Sequence, residues 1–236
     1  MRNHSFGFRK FLLLAAFAFI LGGCLRDDPE LSGFGDAFIR VEVSGSDTLY
    51  GIGLHAFSYT NFSSVEVNIG EIIYILAPYL EYRQDFVFET PKEELTTIRP
   101  QEGEYIFNAL YPDGRSMVFS DRLYTSFARP VRITECRFNR DTNVAEIAWL
   151  ADKRNDAYNI KVFNAEGDLL FVSLLYNNDS DYYAFGRNTQ GWQTSNLPLA
   201  GQELLVEISA YLNQPDTKGE KLQSIAFSRH SLIWFN

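Results

Sequence analysis

Apolar residues in this chain recur at every second position, and that periodicity governs what the chain can fold into. Ile39, Val41 and Val43 alternate with Arg40 and Glu42. Ala145, Ile147 and Trp149 share one parity, and so do Tyr158, Ile160 and Val162. Successive side chains of a strand point to opposite faces, so each run predicts a strand with one buried face. Beyond residue 24 no long stretch keeps the 3.6-residue spacing of an amphipathic helix, so the chain reads as all-β.

Further strands are expected at 50–60, 65–69, 82–89, 105–110, 116–120, 131–138, 169–173, 204–210 and 222–227. Residues 71–80 are apolar almost throughout, the pattern of a strand buried on both faces. Tyr111-Pro112-Asp113-Gly114-Arg115 joins two strands. Pro presets φ and Gly takes a positive φ, so a tight hairpin is expected there. Pro130 separates two sets of strands and marks a boundary near Arg129.

Two family resemblances follow. Gly103-Glu104-Tyr105 entering a strand resembles the tyrosine corner of immunoglobulin-like sandwiches, which implies that the Tyr105 hydroxyl bonds back to upstream backbone. Ile147-Ala148-Trp149, Ala157-Tyr158-Asn159-Ile160 and Leu199-Ala200-Gly201 before Val206–Ala210 are similar to fibronectin type III domains. That family places a core Trp on strand B, a Tyr on strand C and Leu-x-x-Gly before strand F. Leu204 stands where the family carries the strand-F tyrosine, so that corner bond is lost while apolar burial is kept. The expected organisation is two tandem β-sandwiches, immunoglobulin-like over 36–128 and fibronectin type III-like over 129–236.

The N-terminus carries an address. Arg2, Arg9 and Lys10 precede a short apolar run ending in Leu21-Gly22-Gly23-Cys24. The run is signal-peptide length and too short to span a bilayer, which needs about 20 apolar residues. The four residues resemble a bacterial lipobox. That implies cleavage after residue 23, acylation of Cys24 and a tether over residues 24–35. Three acyl chains would hold firmly, since each buried CH₂ contributes about 0.8 kcal/mol. Arg26-Asp27-Asp28 resembles the surface-export signal of Bacteroidota lipoproteins, which implies an outer-membrane protein facing the exterior.

Composition excludes some functions. The net charge is −9, and loss of Arg2, Arg9 and Lys10 would make the mature chain more acidic still, which repels nucleic acid. The two cysteines are Cys24 and Cys136. If the first is acylated the second has no disulfide partner and is expected to pack as a small hydrophobe. Asp152 with Asp156, and Glu93 with Glu94, read as solvated loop acids rather than a hydrolytic pair. His55 and His230 have no metal-ligand spacing, and Asn177–Asp181 lacks the Gly and Glu of a calcium loop. No metal, cofactor or enzymatic activity is expected.

Residues 175–192 mix aromatic and polar side chains. Tyr176, Tyr182, Tyr183 and Trp192 could stack on sugars, with Asp179 and Arg187 bonding hydroxyls. The same mixture suits core aromatics between polar turns. Asp47-Thr48-Leu49 resembles a Bacteroidota O-glycosylation site at Thr48. The expected function is a non-enzymatic surface lipoprotein, bound to the membrane by its lipid and recognising a glycan or partner protein. The alternative is a structural, adhesion or fimbria-type assembly accessory. A glycan binder should display an exposed planar row of rings over 176–192. An assembly module should bury them and expose a strand edge.

Overall fold

The computed structural model describes residues 31–195, 197–215 and 217–235. Fifteen strands account for the regular structure: β1 Phe34–Ser44, β2 Asp47–Phe57, β3 Ser64–Ile69, β4 Ile72–Tyr79, β5 Tyr82–Glu89, β6 Gly103–Leu110, β7 Ser116–Leu123 and β8 Arg132–Asn139, followed by β9 Val144–Leu150, β10 Ala157–Phe163, β11 Leu169–Val172, β12 Tyr176–Asn177, β13 Tyr182–Phe185, β14 Glu203–Asn213 and β15 Leu222–Ile233. One 3₁₀ turn lies at Lys92–Glu94 and no α-helix occurs among the described residues. The period-2 segments thus become strands close to where their spacing puts them, and the fold is all-β with sandwich-like sheets.

In the N-terminal half, β1-β2-β5 forms one layer and β4-β3-β6-β7 the other. Leu54, Ala56 and Phe86 from the first meet Val65, Val67, Tyr105 and Phe107 from the second in a buried core. The Tyr105 hydroxyl donates to the Gln101 carbonyl at 2.9 Å, the corner its sequence implies. The Pro-Asp-Gly turn closes as Tyr111 N–H to Arg115 O at 2.9 Å, with Gly114 at φ 85°, a region that costs a residue with a Cβ.

In the C-terminal half, β8-β9-β13 packs on β11-β10-β14-β15. Trp149 and Tyr158 are buried and meet edge-on at 5.8 Å. The Tyr158 hydroxyl exchanges bonds with Asp152, accepting from its N–H at 2.8 Å and donating to its carbonyl at 3.0 Å. Leu204 is buried opposite Leu232, so this half keeps its apolar seal without a tyrosine corner.

The two layers of sequence meet in one sheet. β15 pairs antiparallel with β14 and also parallel with β1, in the register Ile39↔Ser224 to Glu42↔Phe227. Residues from Gly33 onward form one compact unit. β1 is therefore a central strand, and its polar parity is not a solvent face: Glu42 is 5% exposed. Arg229 on β15 bridges Glu42 and Glu207 at 2.8 Å each, and Arg40 reaches Glu89 at 2.9 Å. These pairs satisfy charges that a buried sheet would otherwise strand at a cost of several kcal/mol.

Polar side chains also stitch the junction at its other end. Asp121 on β7 accepts from Ala37 N–H, from Gln214 Nε2 and from Lys221 Nζ at 2.8, 2.8 and 2.7 Å. Asp36 on β1 accepts from Leu222 N–H at 3.1 Å. Burial, followed by the nearby Asp121 charge, lifts the Asp36 carboxyl to about 7 against the bond from Leu222. The buried Gln223 amide holds Tyr124 and Ser126 carbonyls at 2.7 and 2.8 Å. Asn155 grips Arg129 through both its N–H and its carbonyl.

Candidate functional site

The aromatic segment folds inward. Its residues form β12 against β10 and β13 against β9. On a strand Tyr183 and Phe185 share one face and Tyr182 takes the other. Phe185 is fully buried, stacks on Phe171 at 4.8 Å and 17°, and lies 5.9 Å from Trp234. Trp192 closes edge-on against Phe171 and Trp234 at 5.2 and 5.8 Å, and its Nε1–H donates to the Gly186 carbonyl at 3.0 Å. Gly191, at φ 128°, permits this approach, because a Cβ there would sit 2.3 Å from the Val172 carbonyl oxygen.

Tyr176 and Tyr183 lie 5.2 Å apart at 51°, and burial with the Tyr176 bond pushes the Tyr183 hydroxyl well above its ordinary range. Tyr182 is exposed at 51%. Asp179 faces solvent beside Lys153 at 3.7 Å, and Arg187 donates to the Pro198 carbonyl at 3.2 Å. The six residues therefore divide between an internal cluster and separate surface points, with ring planes at steep angles rather than in one row.

The other candidates fall as follows. Cys24 lies outside the described residues. Thr48 is half-buried beside the β1–β2 hairpin, opposite Val43. Cys136 is half-buried in β8, and burial pushes its thiol up to about 11, so it is protonated at neutral pH. Arg154 pairs with Asp152 and holds its carboxyl down at about 2. Asp156 accepts from Asn213 N–H at 2.7 Å. His55 Nε2 meets Asp85 Oδ1 at 2.9 Å, while His230 meets the Ser231 carbonyl. Among the described residues no three His, Cys, Asp or Glu side chains group to hold a metal.

The most distinctive surface is one the sequence hides. The apolar run 71–80 becomes β4, yet it is not buried on both faces. Ile72, Ile73 and Ile75 are 47%, 61% and 72% exposed, and Tyr79 and Leu80 are exposed beside them. The cause is the strand's route between layers. Ile72–Leu76 pairs with β3, and Ala77–Tyr79 then crosses to β5. Only Leu76 and the half-buried Tyr74, which packs 5.1 Å from Phe88, turn toward the core.

The crossing leaves the outer side of Ile72–Leu76 without a strand partner among the described residues. The register then spreads the apolar face. Ile73 and Ile106 flank Asn68, and Ile75 lies in the row that continues through Glu66 and Asn108 to Val118. Ile106, Leu110 and Val118 are all exposed. At the centre, Asn68 Oδ1 is buried without a hydrogen-bond partner.

The fold thus defines the class: an all-β protein with sandwich-like sheets, its N- and C-terminal halves joined in one sheet. No protein-family model matches the chain, and no curated protein does either. Solved structures resemble it loosely. A two-domain fibronectin type III segment of chicken tenascin is 11% identical, covers 84% of this chain and 99% of its own, and superposes with a TM-score of 0.29. Dimeric latent PorU from Porphyromonas gingivalis is 11% identical over 89% of this chain and 21% of its own, with a TM-score of 0.28. A tetra-tandem repeat from the extending region of a large adhesion protein is 12% identical over 85% and 50%, with a TM-score of 0.26. No residue or role is carried over from them.

Proposed function

We propose that this protein is a non-enzymatic, lipid-anchored surface module of the outer membrane that binds a partner protein by accepting a partner strand along β4. The observation that carries this reading is the open edge of Ile72–Leu76 flanked by the exposed Ile72, Ile73 and Ile75. Soluble proteins blunt such edges with charges, prolines or bulges, whereas strand addition uses them: backbone bonds give affinity and alternate side chains give specificity. Phe171, Phe185 and Trp192 pack against one another at steep or stacked angles and Tyr182 stands apart on the surface, which favours the assembly reading over a flat sugar platform there. The anchor rests on Leu21-Gly22-Gly23-Cys24 and the outward direction on Arg26-Asp27-Asp28.

A photo-crosslinking residue at position 75 of the full chain, expressed in its own cells, should give one discrete adduct with another protein. The same residue at exposed Leu199 should not. Adding Ile73→Lys should abolish the adduct while thermal stability shifts by under about 0.5 kcal/mol, the usual range for a surface change. Equal crosslinking at both positions, or an adduct only with a second copy of the chain, would overturn the proposal.

A further inference from the structure

One end of the N-terminal half carries an apolar point that serves neither the core nor the open edge of β4. β4 and β5 turn about Leu80 and Glu81, with Tyr79 paired to Tyr82. Tyr79, Leu80 and Tyr82 are all exposed, Leu80 at 72%. The β2–β3 connection lies beside this turn: Ser58 N–H donates to the Gln84 carbonyl at 3.0 Å and Phe62 N–H to the Arg83 carbonyl at 2.7 Å. It adds Tyr59, also exposed and edge-on to Phe57 at 5.2 Å.

Leu80 has a φ of 55°. A residue with a Cβ is strained in that left-handed region, where a hairpin turn ordinarily carries glycine or asparagine. Leu80 is exposed, so its side chain does not repay the strain in the core. The fold holds an apolar side chain outward at a conformational cost.

The chain enters the sheet at this same end. Phe34, the first residue of β1, pairs with Phe57, and Phe57 pairs with Asp85 just beyond the turn. Phe34 is ten residues after Cys24. That length spans at most about 35 Å, whatever its conformation. β1 runs 11 residues, about as far again, before the turn at Gly45 and Ser46. An anchor at Cys24 therefore keeps the Leu80 end nearer the bilayer than the Ser46 end.

We infer that the Leu80 turn docks on the membrane that holds the lipid anchor, with Tyr79, Leu80, Tyr82 and Tyr59 in its headgroup layer. This inference rests on the lipid-anchored reading above. Tyrosine suits that layer because its ring is apolar and its hydroxyl is wet. The turn at Pro112–Arg115 stands at the same end, since Ser63 N–H donates to the Leu110 carbonyl at 2.7 Å. It is polar, with Arg115 paired to Asp113 at 2.7 Å, which confines the contact to the interface. A chain of net charge −9 gains no attraction from anionic lipid, so the contact is apolar and insensitive to salt. Docking at Leu80 would also set the orientation. Ile72–Leu76 leads away from the turn, so its open edge stands clear of the lipid.

The test places an environment-sensitive fluorescent amino acid at position 81 of the full acylated chain, held in protein-free phosphatidylcholine vesicles. A second sample carries it at exposed Ser46. Emission at 81 should shift to the blue and be quenched by lipid spin-labelled near the headgroup, equally at low and high salt. Emission at 46 should do neither. Leu80→Asp combined with Tyr82→Ser should bring the signal at 81 to the level at 46. Leu80→Gly, which suits the positive φ, should keep or raise the thermal midpoint while weakening the quenching. Equal signals at 81 and 46, or quenching that survives both sets of substitutions, would overturn the inference. So would a lower thermal midpoint for Leu80→Gly, which would make the side chain structural. A blue shift at 81 in native membranes but not in pure lipid would assign the turn to a protein partner instead. Vesicle flotation reads the anchor separately. A chain that floats without quenching at 81 sinks the docking point and leaves the anchor standing, whereas a chain recovered without acyl groups removes both.

Discussion

Replacing Phe185 by alanine is expected to lower the unfolding free energy by about 3–5 kcal/mol, the range for deleting a buried ring that cannot be refilled. Phe185 is fully buried and touches Phe171, Tyr183, Trp192 and Trp234, so it joins β11 and β13 to the end of β15. The rings around it are locked by one another and by the Trp192 bond to Gly186, which leaves little freedom to close the cavity. Tyr182→Ala, three positions earlier and exposed, should change stability by under about 0.5 kcal/mol. Urea unfolding of both variants decides the matter. Similar losses at the two positions would mean that this segment is not divided into a core face and a surface face.

Asp36→Asn is expected to stabilise the protein by about 1–3 kcal/mol at pH 8 and by little at pH 4. The sign follows from the raised carboxyl, about 7 in the fold against an ordinary 3.8. Between those values the unfolded chain releases a proton that the folded chain keeps. Stability contributed by this group therefore falls as pH rises through that window and stays low above it. At about 1.4 kcal/mol per pH unit the ceiling is about 4 kcal/mol, reduced by whatever water reaches the site. Asparagine copies the protonated acid: its oxygen can still accept from Leu222 N–H and its amide can donate to Asp121. Asp121 and Lys221 are the other charges facing the position, and they hold each other at 2.7 Å. Denaturation series at pH 4, 6 and 8 test this. Parallel curves for the two proteins, or a variant less stable at pH 8, would remove Asp36 as the source.

Much of this architecture is legible in the chain. Alternation locates the strands, Pro-Asp-Gly closes its hairpin, Tyr105 makes its corner, and Trp149 and Tyr158 go to the core. What alternation leaves open is the partner. Arg40 and Glu42 look like a wet face of β1, because nothing local says that Arg229 will arrive from β15. Ile72, Ile73 and Ile75 look like core, because apolar composition does not say whether the fold will cover a side chain or leave it exposed. The ring-rich segment 175–192 is ambiguous for a related reason. Stacking on sugar and stacking on Phe171 call for the same rings, and the choice depends on β9 and β15, distant in sequence.

The parallel pairing of β1 with β15 sets the order of assembly. The Arg229–Glu42 bond closes a span of 187 residues. Chain entropy makes so distant a pairing a late event, and folding dominated by remote contacts is slow. The strand made early is thus among the last to be completed. Until β15 docks, β1 offers a bare edge of alternating Ile39, Val41 and Val43 to any neighbouring chain. A product truncated before residue 222 would keep that edge permanently, and should collect as aggregates rather than persist as a smaller working half.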